Sequence, residues 1–123
     1  GGSRGIGEAI ALKFAENGAH VGFSYISSDE KAKALEEKLQ SFGVKAKAYK
    51  SNAADFSDCE KMVNDVIKEF GTVDILVNNA GISKDNLLLR MTSEQWDEVM
   101  ETNLKSVFKV FFSFKRIYMF ICC

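Results

Sequence analysis

The sequence predicts an α/β fold, a doubly wound parallel sheet with helices on both faces. Three observations predict it. Helical and strand-like periodicities alternate along the chain. Glycines close the helical segments, at Gly18, Gly43 and Gly71. One segment, "VDILV", is an unbroken apolar run, as in a strand covered on both faces.

The elements follow in order. Gly5 to Asn17 reads as a helix, because Ile6, Ile10 and Phe14 recur at helical spacing with Ala9 and Leu12 beside them. Ala19–Tyr25 is a short β-prone run. "SSDEKAKALEEKLQSFG" is a second helix, capped by Ser27 or Ser28, with acids in its first turn. Val44–Tyr49 alternates apolar and polar residues, which predicts a strand with one wet side. "DFSDCEKMVNDVIKEFG" is a third helix, capped near Ser57. "VDILV" is the next strand. "TSEQWDEVMETNLKSVF" is a fourth helix, capped by Thr92 or Ser93, with Trp96, Val99, Met100, Leu104 and Phe108 as its inner face.

Composition sets bounds. The chain has 123 residues, 46% hydrophobic and 27% charged, which is one small globular domain. A net charge of −1 gives no electrostatic case for nucleic acid. Cys59, Cys122 and Cys123 have no metal-ligand spacing, so no metal is expected. An odd cysteine count and no leader-like apolar start favour a reducing, cytoplasmic setting.

The chain opens on "GGSRGIG", with glycines at Gly1, Gly5 and Gly7. In a Rossmann-type fold such a loop binds phosphate. Gly1 would make the tight turn, Gly5 would let backbone approach an anion, and Gly7 would let the helix pack on the sheet. The helix that follows aims free N–H groups and a positive dipole end at the anion. The competing reading is a flexible glycine-rich terminus, and only context separates the two. After the next strand, Tyr25 stands where an NAD enzyme commonly has an acid for the ribose 2′-OH. Ser3 and Arg4 lie in the loop, and a hydroxyl and a guanidinium suit a 2′-phosphate. The pair favours NADP over NAD.

"DILVNNAG", Asp74–Gly81, together with the glycine loop at matching spacing, resembles the short-chain dehydrogenase/reductase family. The likeness covers about residues 1 to 107. It implies a Rossmann-type sheet and NADPH-dependent reduction of a 3-oxoacyl group carried on acyl carrier protein, in fatty acid biosynthesis. A homotetramer is implied for the full-length protein. Gly1, Ser3, Arg4, Gly5, Ile6 and Gly7 would cradle the pyrophosphate and the 2′-phosphate. Asn52 replaces the family's aspartate beside adenine, with an amide that offers a donor and an acceptor. Asn78, Ala80 and Gly81 would close over the cofactor ribose. Asn103 matches the family's active-site asparagine, which holds a water in the proton relay.

The family reaction also needs a serine and a tyrosine with a lysine four residues later. Here Tyr25 is followed at that distance by Asp29, Tyr49 by Ala53 and Tyr118 by Cys122. The expectation is a partial dinucleotide-binding domain over residues 1–109, with the strand before the loop and everything after the fourth helix missing. Residues 110–123 read as an aberrant hydrophobic tail, of the kind a frame shift or unspliced intron produces. Lys109, Lys115 and Arg116 interrupt it too often for a membrane span, and a membrane-surface helix is its rival reading. A non-catalytic nucleotide-binding remnant, or a short-chain reductase of another carbonyl, stands as the alternative function.

Overall fold

The computed structural model describes residues 2–113 and 119–122. Gly1, the stretch 114–118 and Cys123 lie outside the described residues, and with them the expected role of Gly1. The elements are α1 (Gly5–Glu16), β1 (Val21–Tyr25), α2 (Asp29–Gln40), β2 (Ala46–Lys50), α3 (Phe56–Phe70) and β3 (Ile75–Asn78). A 3₁₀ turn (Leu88–Arg90), α4 (Ser93–Met100), a π turn (Glu101–Lys105), α5 (Ser106–Ser113) and β4 (Met119–Cys122) follow.

The sheet is parallel, in the order β2-β1-β4-β3. Period two splits β1 between two environments. Val21 and Phe23 point into a core made with Ala11 and Ala15 of α1 and Leu35 and Leu39 of α2. A second core holds Cys59, Met62, Val63 and Val66 of α3 with Val110 of α5, and Leu76 of β3 packs against it. Helices therefore cover both faces, as a doubly wound sheet requires.

The sequence leaves the slot between β1 and β3 empty and gives the tail no partner. Both expectations are corrected. Met119–Cys122 fills that slot, with Phe23 opposite Ile121 and Ile75 to Asn78 opposite Met119 to Cys122. The apolar richness that looks foreign in a surface tail is what a central strand needs. Val110, where the composition changes, is wholly buried. Phe111 and Phe112 are exposed, as expected of the tail.

Smaller corrections have local causes. The cap of α3 is Asp55, whose side chain accepts from Asp58 N, and not Ser57. Ser28 stands at the N-cap of α2, yet its hydroxyl makes no cap bond. β1 starts at Val21, because Ala19 and His20 complete the turn after Gly18, and β2 runs one residue past Tyr49. β3 is half-exposed, not covered on both faces, because it is the edge strand. The fourth helix is three pieces, broken by the π turn. Thr92 does cap it, in a reciprocal capping box with Gln95. Its expected inner face is turned outward at Trp96, Leu104 and Phe108, while Ser106 and Val110 face in.

Gly2 is a position whose need for glycine only the fold reveals. A Cβ there would lie 2.9 Å from Phe23 Cβ and 3.1 Å from the Ser24 carbonyl. Gly2 N also donates to that carbonyl at 3.1 Å. Gly2→Ala is expected to cost about 1–3 kcal/mol through overpacking. Urea unfolding of the two proteins measures it, and equal midpoints would contradict it.

Candidate functional site

A cleft of about 200 Å³ opens at the carboxyl ends of the strands. The loop before α1 gives it Ser3 and Arg4, and the turn after β1 gives it Tyr25, Ile26, Ser27 and Ser28. Asn52 and Ala53 come from the turn after β2. Ala80, Gly81 and Ile82 come from the segment after β3, and Thr102 from the π turn. A parallel sheet makes this arrangement unavoidable, since every strand ends at the same edge.

Four helices of eight residues or more have their N-caps among the described residues, and they fall into two kinds. Asp55 and Thr92 cap α3 and α4 with side chains. Arg4 and Ser28 stand at the N-caps of α1 and α2 without a side-chain cap. Both of these residues line the cleft. The helix ends with uncapped backbone donors are therefore the two beside the cleft, which suits an anion. Gly5 has φ +57°, and a Cβ on it would meet nothing within 4 Å. The glycine serves backbone conformation there, and the space above it stays open.

Of the sequence-predicted residues, Ser3, Arg4, Tyr25, Asn52, Ala80 and Gly81 come together on the cleft. Gly5, Ile6 and Gly7 form the first turn of α1, with Ile6 exposed and Gly7 buried. Asn78 ends β3, opposite Cys122, and does not line the cleft. Asn52 uses its Oδ1 to accept from Ala54 N at 3.1 Å, shaping its own turn. Burial, then a hydrogen bond to Asp29, raises the Tyr25 hydroxyl above its ordinary value.

Asn103 sits in the π turn. Its Nδ2 donates to Ile82 O at 2.9 Å and its Oδ1 accepts from Ile82 N at 2.8 Å. The amide thus clamps the backbone of the segment after β3 in both directions. Gly81 lies against it, where a Cβ would stand 3.5 Å from Asn103 Oδ1, an ordinary contact. Missing from the sequence reading are Ile26, Ser27, Ser28, Ala53, Ile82 and Thr102 on the cleft wall. The hydroxyls of "ISS" were available as a signal, but they read more simply as helix caps.

A second polar link ties the walls together. Lys109 Nζ donates to Ala54 O at 2.6 Å and pairs with Glu101, which also pairs with Lys105 at 2.8 Å. The Lys105 hydrogen bond first, then Lys109, holds the Glu101 carboxyl below its ordinary 4.5. A carboxyl depressed in the folded state binds its proton more readily when unfolded. Its stabilisation is complete above about pH 4.5 and is lost as pH falls through the folded value. The Tm gap between wild type and Glu101→Gln is therefore expected to be widest near neutral pH and to narrow under acid. A gap independent of pH would contradict this. Among the described residues no cluster of His, Cys, Asp and Glu suits a metal ion.

A glycine loop at an uncapped helix end, under the carboxyl edge of a parallel sheet, defines a protein with a Rossmann-type nucleotide cleft. The family described as short chain dehydrogenase matches residues 1–119, and the chain belongs to that family. It is 49% identical over 108 residues to 3-oxoacyl-[acyl-carrier-protein] reductase FabG of Staphylococcus aureus (strain Mu50 / ATCC 700699), which covers 88% of this chain and 44% of that protein. It is 45% identical over 108 residues to an NADP-dependent mannitol dehydrogenase of Alternaria alternata, covering 87% and 41%. A short chain dehydrogenase from Burkholderia cenocepacia J2315, solved in complex with NADP, superposes with a TM-score of 0.90 at 31% identity, covering 99% of this chain and 51% of that one. The chain spans less than half the length of these curated relatives.

Proposed function

We propose that this chain is the cofactor-binding part of an NADPH-dependent reductase that converts 3-oxoacyl groups on acyl carrier protein to 3-hydroxyacyl groups, in fatty acid biosynthesis. One observation carries the cofactor reading. Among the described residues the cleft wall holds one cation, Arg4, and six hydroxyl or amide side chains, Ser3, Tyr25, Ser27, Ser28, Asn52 and Thr102, but no carboxylate. A 2′-phosphate is welcome on such a wall, and a carboxylate there would repel it.

The residues present fit the cofactor. Backbone N–H groups of Gly5, Ile6 and Gly7 would hold the pyrophosphate, and Ser3 and Arg4 the 2′-phosphate. The Asn52 amide N–H would serve the adenine, since its oxygen is taken by Ala54 N. Ala80 and Gly81 would line the ribose, positioned by the Asn103 clamp on Ile82. Asn78 ends β3 opposite Cys122, and Gly1 would belong to the phosphate loop. When bound, the nicotinamide supplies the hydride. The role of Asn103 in the reaction is to position, because its amide does not titrate. The domain proposed is residues 1–109, completed by Val110 in its core and Met119–Cys122 in its sheet, although residues 110–123 depart from it in composition.

The setting proposed is cytoplasmic, with acyl carrier protein as the substrate's carrier and neither nucleic acid nor membrane as a partner. Among the described residues no helix is long and apolar enough to cross a membrane. A homotetramer is proposed for the whole-length enzyme, with the outward side of α4 and α5, Trp96, Leu104 and Phe108, as one dimer face. Sedimentation of an active monomer would refute it. The likeness to a mannitol dehydrogenase keeps a second carbonyl substrate as the alternative. The absence of a tyrosine–lysine pair at the required spacing favours a non-catalytic nucleotide-binding remnant for the 123 residues taken alone.

The test of the cofactor reading is calorimetric titration of this chain with NADPH and with NADH. NADPH is expected to bind at least about tenfold tighter, the worth of roughly 1.4 kcal/mol. Equal affinities would overturn the reading.

A further inference from the structure

We infer that Lys50 determines cofactor specificity by keeping Asp29, the first carboxylate beyond β1, away from the ribose wall of the cleft. The inference rests on the NADPH reading above. Tyr25 and Lys50 are register partners at the carboxyl ends of β1 and β2. Asp29 follows Ser28, which lines the cleft, and opens α2. Lys50 Nζ lies 3.0 Å from both Asp29 carboxylate oxygens. Tyr25, itself on the cleft wall, also acts on that carboxylate and lowers it, after Lys50. Three directions agree with the arrangement. Asp29 is held below its ordinary value, by Lys50 first and then Tyr25, and Lys50 and Tyr25 are both raised. The other acid near Tyr25 is Glu36, whose Oε2 accepts from Ala48 N at 2.6 Å. Both carboxylates of this corner are thus committed elsewhere.

The chemistry follows from what a free carboxylate would do. It would accept a hydrogen bond from a bare ribose 2′-OH and repel a 2′-phosphate. Paired on both oxygens, Asp29 does neither strongly. The sequence places an acid immediately after the cleft turn, and Lys50 on the neighbouring strand cancels it. The side chains of Asp29 and Lys50 are 62% and 60% exposed. Exposed pairs are weak, so the expected effect is modest, about fivefold.

The experiment uses the 123-residue chain with adenosine 2′,5′-bisphosphate and 5′-AMP as probes. Their affinity ratio is read by calorimetry in wild type, Lys50→Met, Lys50→Arg, Asp29→Asn and the Lys50→Met/Asp29→Asn double variant. Lys50→Met is expected to lower the preference for the 2′-phosphate about fivefold, and Lys50→Arg to keep it. The double variant is expected to return within about twofold of wild type, since the acid that Lys50 restrains is gone. A double variant that stays at the Lys50→Met ratio would mean that Lys50 acts only as a nearby charge, and would overturn the inference. So would an unchanged ratio in Lys50→Met, or a fall in Asp29→Asn. A wild type with no preference overturns the cofactor reading alone, because the inference is read from the change between variants.

Discussion

Arg4→Ala is expected to weaken NADPH binding about ten- to a hundredfold while leaving NADH nearly unchanged. Arg4 stands at the N-cap of α1, exposed, on the cleft wall. The ion pairs among the described residues involve only lysines, so its guanidinium is not spent on a carboxylate. A hydrogen bond to a charged group is worth roughly 1.5–3 kcal/mol, which sets the fold-change. The change carries little structural cost, because Arg4 makes no side-chain cap to lose. Titration of both cofactors against wild type and variant checks it. A parallel loss for both would show that Arg4 serves the shared pyrophosphate and not the 2′-phosphate.

The 123-residue chain is expected to show no turnover of acetoacetyl thioesters with NADPH. Reducing a ketone requires a proton on the carbonyl oxygen, and the family reaction takes it from a tyrosine with a lysine four residues on. Burial first, then nearby Asp29, raises the Tyr25 hydroxyl and makes it a poorer acid. Tyr49 and Tyr118 are followed at that spacing by Ala53 and Cys122. Asn103 is tied to Ile82 through both ends of its amide. Losing general acid catalysis alone removes about 10²–10⁴-fold, and orientation and oxyanion contacts are lost with it. NADPH oxidation is followed by its absorbance. Turnover above a no-enzyme blank that survives Asn103→Ala would refute the expectation.

The legible parts of the sequence were those with local causes. The five segments from α1 to α3 follow from periodicity and from glycines that adopt positive φ at Gly18, Gly43 and Gly71. The cleft residues Ser3, Arg4 and Asn52 were visible because a parallel sheet gathers its loops at one edge. What stayed hidden depended on distant partners. Nothing near Met119–Cys122 in the sequence says that β1 and β3 flank it. Nothing near Gly2 says that Phe23 lies 2.9 Å from where its side chain would start. The outward position of Trp96 and Phe108 was not legible, because periodicity marks an apolar face and does not say what covers it. Ser27 and Ser28 were misread because a hydroxyl before a helix has two uses, and here the helix end is left uncapped.

The place of β4 has a temporal consequence. β1 can pair with β2 as soon as residue 50 has been synthesised, so that half of the sheet assembles early from neighbours in sequence. Among the described residues β3 has no such partner, and its bond to the rest of the sheet runs through β4, which lies far downstream of β1. The two banks of the nucleotide cleft, one anchored on β1 and the other on β3, are therefore joined in register only when residues 119–122 arrive. Pairing across so much intervening chain is slow to nucleate. A nascent chain halted before residue 119 would carry its glycine loop and its Asn103 clamp on two unjoined pieces of sheet, and nucleotide binding would begin only once β4 has paired.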